Sequence, residues 1–201
     1  GNIELAVKAT KIGAYDFLEK PLSLERVLLV SQRALEKRSL ELENKALRKN
    51  LEKKWKLIGS SQKIVQLRNQ IDLAAQSNSR VLILGESGSG KELVAHILHE
   101  QSNRSDKSFI EMNCAAIPQE LIESELFGHE KGSFTGAFER KKGKFELSDN
   151  GTLFLDEVGD MSLTTQSKVL RVIETQNFQR VGGSKNIQVD VRIIAATNKD
   201  L

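Results

Sequence analysis

The sequence predicts an α/β protein: a parallel sheet between two layers of helices, preceded by a long helical stretch. Three observations carry that prediction. From about residue 57 onward, short runs rich in Val, Ile and Leu alternate with helical segments, the pattern of a sheet covered on both faces. One such run, Val81-Leu82-Ile83-Leu84, passes directly into Gly85-Glu86-Ser87-Gly88-Ser89-Gly90-Lys91 and then into a helix. Another, Thr152-Leu153-Phe154-Leu155, delivers Asp156 and Glu157 at its carboxyl end, the edge where open α/β sheets bind ligands.

The chain has 201 residues, 39% of them hydrophobic, with a formal net charge of +3, the balance of an ordinary soluble protein. The length suits one full domain, or one domain and a piece of another. Gly1 is not a natural start, and the chain reads as an internal fragment. No apolar run is long enough to span a membrane, and the first residues do not read as a signal peptide. The single cysteine, Cys114, lies among small and apolar residues, which predicts a buried structural thiol in a reducing compartment. Charge is uneven. Residues 1–58 carry 13 Lys and Arg against 8 Asp and Glu, whereas residues 59–201 carry 17 against 19. A basic linker of this kind reads as a solvated helix face or as a nucleic-acid contact.

In chain order, Ile3, Ala6 and Val7 recur at helical spacing up to Gly13-Ala14. Tyr15-Asp16-Phe17-Leu18 predicts a short strand, followed by Glu19-Lys20-Pro21. Residues 23–56 contain neither Gly nor Pro and predict one near-continuous helix. Leu28, Leu35 and Leu42 are seven apart, and Leu40, Leu47 and Leu51 form a shifted series, so the heptad register changes near Ser39. Such a helix either pairs with its twin in a dimer or packs one face on its own domain. Trp55 and Leu57-Ile58-Gly59 are expected to anchor its end to the next domain. After it come a helix over residues 64–75 entered through Ser60 or Ser61, the glycine loop and its helix (92–99), and a strand at 109–113. Then come a helix at 118–126, a loop at 128–143, the strand at 152–155, a helix at 163–175, a hairpin at 178–189 and a strand at 191–196.

The spacing G-x-x-x-x-G-K is that of a phosphate-binding loop. Glycines let consecutive backbone N–H groups converge on an anion, the helix N-terminus adds its positive dipole end, and Lys91 supplies a point charge. Glu92 stands where the generic motif has Ser or Thr. Some 65 residues on, Asp156 is placed to hold Mg²⁺ and Glu157 to activate an attacking water. Asn198, at the end of the next strand in Ala195-Ala196-Thr197-Asn198, can reach a γ-phosphate or that water; alone, Asn is more often a turn former. In Glu130-Lys131-Gly132-Ser133-Phe134-Thr135-Gly136-Ala137 an aromatic stands between glycines, the composition of a mobile, solvent-facing contact loop.

Together these stretches resemble the AAA+ domain of bacterial enhancer-binding proteins, the NtrC-like activators of sigma-54 RNA polymerase. The resemblance runs from about Leu57 to the end of the chain. It rests on Gly85 to Glu92, Glu125-Leu126-Phe127-Gly128-His129-Glu130, Gly132 to Ala137, and Gly151-Thr152-Leu153-Phe154-Leu155-Asp156-Glu157. That family has Glu after the loop lysine, which accounts for Glu92. Its GAFTGA loop is present with Ser133 in the second place. Gly13-Ala14-Tyr15-Asp16-Phe17-Leu18-Glu19-Lys20-Pro21 in turn resembles the last strand of two-component receiver (flavodoxin-like) domains. There the lysine contacts an aspartyl phosphate, the bond after it is usually cis, and an aromatic acts as a switch.

The resemblance implies residues 1–36 as the end of a receiver domain, 37–56 as a helical linker able to form a coiled coil, and 57–201 as a truncated AAA+ ATPase domain. It implies ATP and Mg²⁺ bound by Gly85, Glu86, Ser87, Gly88, Ser89, Gly90, Lys91, Glu92 and Asp156. Glu157 would be the base and Asn198 the sensor. Asn113 would report nucleotide state by hydrogen-bonding Glu157. The loop Gly132, Ser133, Phe134, Thr135, Gly136 and Ala137, supported by the hairpin near Val181-Gly182-Gly183, would contact sigma-54. Lys20 and Phe17 would be the receiver switch residues. Implied partners are sigma-54 RNA polymerase, copies of the same chain in a dimer and a six- or seven-membered ring, a sensor histidine kinase, and DNA through a further domain. The implied setting is the bacterial cytoplasm. Arginine fingers and a second sensor arginine would lie beyond residue 201, so weak turnover is expected of these residues alone. Arg171 and Arg180 are read as surface ion pairs, with a subunit contact as the alternative. A different AAA+ remodeller, or a regulator that binds nucleotide without contacting sigma-54, is the other reading.

Overall fold

A computed structural model describes residues 7–9, 11–52 and 55–199, with the side chains of residues 41 and 44–52 left aside. The expected first helix lies partly outside these residues; Val7 to Ala9 and Lys11 are helical, and the turn ends at Gly13, whose φ is +104°. Two compact units divide between Lys54 and Trp55.

In the first unit, α1 (Leu24–Glu52) is one uninterrupted helix, so the heptad shift near Ser39 changes register without breaking it. Ser23 starts it, its hydroxyl accepting the Arg26 N–H at 3.2 Å. Leu28, Leu35, Leu40 and Leu42 are all exposed. The Lys20–Pro21 bond is cis. Tyr15 to Leu18 do not form the expected strand. A strand exists only through pairing, and no neighbouring strand is available to these residues in the described part of the unit. Instead, the Phe17 N–H bonds the Asp16 side chain at 2.7 Å, and Lys37 lies over the Tyr15 ring at 5.6 Å.

The second unit opens with α2 (Gln62–Ala75), capped by Ser61, whose hydroxyl accepts from Ile64 N–H. Next come β1 (Val81–Leu84), α3 (Lys91–Glu100), β2 (Phe109–Asn113), α4 (Gln119–Phe127), β3 (Gly128–His129) and β4 (Lys141–Lys142). They are followed by α5 (Lys144–Leu147), β5 (Thr152–Asp156), a 3₁₀ turn (Val158–Asp160), α6 (Leu163–Thr175), β6 (Asn177–Phe178), β7 (Ile187–Gln188) and β8 (Arg192–Thr197). Four strands form a parallel sheet in the order β1-β8-β5-β2.

The central strands β5 and β8 are buried on both faces, successive side chains alternating between two cores. On β5, Leu153 and Leu155 enter a core with Met112, Leu126, Phe127, Phe145, Val169 and Phe178. Phe154 between them points the other way, into a core with Ile71, Ala95, Leu98, Ile194 and Ala196. Trp55 and Leu57 pack against that second core, while Ile58 is exposed. Of the expected anchor, then, only the alternate residues are used. Arg192 is buried in β8, and its guanidinium donates to the Ala74 and Ala75 carbonyls at 2.6 and 3.2 Å. It thereby satisfies the C-terminal end of α2. Burial and the nearby charge of Arg104 pull its pKa below the ordinary value.

The long segment expected as loop 128–143 is not all irregular. Its two ends pair as β3 and β4, Gly128 opposite Lys142 and His129 opposite Lys141. This fixes the intervening loop on a two-stranded base. Among the described residues, no helix is long and apolar enough to cross a membrane.

Candidate functional site

The sheet order sets β1, β8 and β5 side by side, so the segments leaving their carboxyl ends converge at one edge. After β1, Gly85 N–H still bonds Thr197 O at 3.3 Å, then the chain leaves the sheet. Gly90 caps α3 at φ +90°, a left-handed conformation that favours glycine, and among the described residues no side chain caps the helix. The first-turn N–H groups are thus left for an anion. Lys91 is 7% exposed and folds back over the loop. Its ammonium donates to Gly85 O at 3.0 Å, Glu86 O at 3.1 Å and Glu157 Oε1 at 3.1 Å.

After β5, Asp156 Oδ1 accepts the Glu157 N–H at 3.0 Å. Glu157 itself sits at φ +52°, ψ +50°, where a non-glycine residue costs about 1–3 kcal/mol. This turn aims its carboxylate back across the strand ends. Oε1 meets Lys91, and Oε2 accepts the backbone N–H of Asn198 at 3.0 Å. Glu157 therefore joins the ends of β1, β5 and β8. Burial pushes the Asp156 carboxyl above its usual range. The charges of Glu157 and Glu92 add to that, against the pull of the Glu157 N–H and of Lys91. Asp156 is a partly buried carboxylate at the strand end beside Lys91 and Glu157, a hard oxygen ligand of the kind Mg²⁺ prefers, so it fits the expected ion.

One expectation changes here. Asn113 does not bond Glu157. Its Oδ1 accepts from the N–H groups of Ala115 and Ala116 at 3.0 and 3.2 Å, satisfying the turn after β2, while both Glu157 oxygens are already engaged. The backbone N–H of Asn198 meets Glu157, which places this residue beside the expected base. Cys114 is buried, with its N–H on Asp156 O at 3.0 Å. Burial first, then the charges of Asp156, Asp160 and Glu157, push its thiol up to about 12, so it stays protonated and structural.

The loop of residues 130–137 closes on itself: Gly132 N–H donates to Ala137 O at 2.8 Å, and Ala137 N–H to Phe134 O at 3.0 Å. Phe134 is 39% exposed and meets His129 edge-on at 5.0 Å. Phe138, which no sequence motif singles out, is 82% exposed. The loop base is gripped by the tip between β6 and β7. Glu130 N–H bonds Val181 O at 3.1 Å, and Val181 N–H bonds Gly128 O at 3.0 Å. Ser133 lies against Gly182, where an added Cβ would stand 2.5 Å from the Ser133 Cβ, and the Ser133 hydroxyl is buried with no hydrogen-bond partner.

Arg180 is not the surface ion pair expected. It is 6% exposed and clamped between Glu130, at 2.7 Å, and Glu146, at 2.5 Å. Burial lowers its pKa, but the bonds to the two carboxylates outweigh that and hold it above the ordinary value. The partners lie 50 and 34 residues away in sequence, so no local pattern could have revealed them. Arg171 lies apart from this clamp, on the wall of a cleft of about 510 Å³ beside α6 with Lys168, Phe178 and Asn186.

A parallel sheet with a glycine loop after its edge strand, and paired acids after a central one, defines a P-loop NTPase of the AAA+ type. Residues 57–201 match the family described as Sigma-54 interaction domain, and the chain belongs to that family. Regulatory protein AtoC of Escherichia coli K12 is 46% identical over 203 residues, a match covering 100% of this chain and 44% of AtoC. Regulatory protein LuxO of Vibrio vulnificus is 50% identical over 200 residues, again covering 100% and 44%. Among solved structures, NtrX from Brucella abortus in complex with ADP superposes with a TM-score of 0.72 at 48% identity, covering 100% of this chain and 44% of NtrX. The chain thus spans less than half the length of these relatives.

Proposed function

We propose that this chain is the nucleotide-hydrolysing part of an ATP-dependent activator of sigma-54 RNA polymerase in a two-component phosphorelay. The observation that supports this best is the Lys91–Glu157–Asn198 link across three strand ends. Lys91, at present bonded to loop carbonyls, turns to the β- and γ-phosphates of ATP beside the α3 amides. Glu157, released from Lys91, orients the attacking water and takes its proton. Asp156 would hold Mg²⁺, which would supply positive charge to offset that of the phosphates. Asn198 reports whether the γ-phosphate is present. Loss of that phosphate returns Glu157 to Lys91, and the change passes through the 3₁₀ turn after Glu157 and the Val181–Gly182 tip to the loop.

In this reading Phe134 and Thr135 touch sigma-54. Residues 1–36 end a receiver domain with Lys20 and Phe17 as its switch residues, 37–56 form the linker, and 57–201 form the motor. The working form is a ring of copies in the bacterial cytoplasm, set by a sensor kinase and tied to DNA by a further domain. The test uses the intact protein: retention of purified sigma-54 with ADP–aluminium fluoride, with Thr135→Ala as control. Retention that needs both the analogue and Thr135 supports the reading. ATPase turnover without retention assigns the motor to another target.

A further inference from the structure

One turn along α3 from Glu92, His96 faces the edge strand β2. Its Nε2 is 2.9 Å from Glu111 Oε1 and 3.9 Å from Glu92 Oε1. One ligand atom from each of the three side chains falls within 4.8 Å of the others. The imidazole is held in place before anything arrives. The indole of Trp55 stacks on it at 3.9 Å with an interplanar angle of 7°, and Phe109 packs on it at 4.6 Å and 44°. The His96 side chain is only 15% exposed, whereas Glu92 and Glu111 are 58% and 43% exposed, so the cluster opens to solvent on the carboxylate side. Burial, and then the charge of Glu92, push the Glu111 carboxyl above its usual range, a sign that the two acids converge on one space.

We propose that Glu92, His96 and Glu111 form a binding site for a borderline divalent transition-metal cation of the zinc class, separate from the Mg²⁺ position at Asp156. One imidazole nitrogen with two carboxylates is a donor set that favours zinc, nickel or copper, whereas Mg²⁺ prefers oxygen alone. Bonds of about 2.0–2.2 Å to a tetrahedral ion put neighbouring ligand atoms roughly 3.3 Å apart. The 2.9 and 3.9 Å separations bracket that value, and Glu92, the most exposed of the three, needs only a small rotation. Three protein ligands leave a fourth position for water. Because Glu92 directly follows Lys91, the ion staples the first turn of α3 to β2.

The test is zinc uptake by the intact, nucleotide-free protein, read by competition with a chromophoric zinc chelator. The wild type takes up one ion more than Glu111→Gln or His96→Asn, or binds that ion at least about tenfold more tightly, the scale on which even outer partners of metal ligands act. Asp156→Asn keeps the ion, and millimolar Mg²⁺ does not displace it. Equal uptake and affinity in the wild type and both variants overturns the proposal. If the variants do not fold, zinc X-ray absorption on the wild type decides: an imidazole nitrogen with carboxylate oxygens in the first shell supports the site, and a shell of sulfur alone sinks it.

Discussion

Lys91 and Arg180 are both buried cations facing glutamates, yet their surroundings differ in kind. Lys91 has one carboxylate, Glu157, and two backbone carbonyls, and the loop and helix around it offer N–H groups to an incoming anion. Arg180 has two carboxylates, Glu130 and Glu146, in bonds of 2.7 and 2.5 Å. Neutral carbonyls are exchanged for phosphate oxygens at little cost, whereas separating a planar guanidinium from two anions is expensive. Lys91 is placed to change partners. Arg180 is placed to keep its partners, tying the loop base to α5. The function proposed above uses both: a contact that lets go at the sheet edge, and one that holds at the base of the loop.

The largest expected effect breaks the first contact. Glu157→Ala should keep nucleotide binding and lower turnover by about 10²- to 10⁴-fold, the usual contribution of a positioned base, measured as steady-state phosphate release. Normal turnover would remove Glu157 from the chemistry. Lys91→Ala should weaken ATP binding by about a hundredfold, read by calorimetry, since a charge-assisted contact of up to about 3 kcal/mol is lost. If binding were unchanged, the phosphates would have to sit elsewhere.

Arg180→Leu tests the second contact. It should cost about 3 kcal/mol in denaturant unfolding, at the low end for a broken buried pair because Glu130 is 36% exposed and can turn to water. Nucleotide affinity should stay as it was; a drop comparable to that of Lys91→Ala would abolish the distinction between the two cations. Gly182→Ala should cost about 1–3 kcal/mol, because φ is +73° and the new methyl would meet Ser133. Ser133→Ala is the smallest effect and has the opposite sign. Removing a buried hydroxyl with no partner should be neutral or stabilise by about 1 kcal/mol, visible as a rise in Tm.

Legibility in the sequence divides along the same line. β1, β5 and β8 are built on apolar runs, β2 carries three apolar residues in five, and α6 begins at a serine cap and carries helical periodicity, so composition located them within a residue. Lys91, Asp156 and Glu157 were legible because their spacing from a strand is local. β3 and β4 are two residues long each, too short to show any period, whereas β6 and β7 pair as the hairpin expected over 178–189. Arg180 looked like any surface arginine, since what makes it buried is a pair of acids far off in the chain. Tyr15 to Leu18 carried a strand's composition without its pairing, and Asn113 an end-of-strand position whose side chain serves its own turn.

The contact between Ser133 and Gly182 reaches beyond stability. Two positions 49 residues apart share one small volume, so neither can take a larger side chain alone. A chimera that transplants the 130–137 loop into another domain of this type must carry the glycine of the supporting tip with it. Conversely, any chain with a bulkier residue at position 182 should accept only the smallest side chain at position 133. The loop and the tip are thus a single portable part, and libraries meant to retarget the loop should vary both sites together.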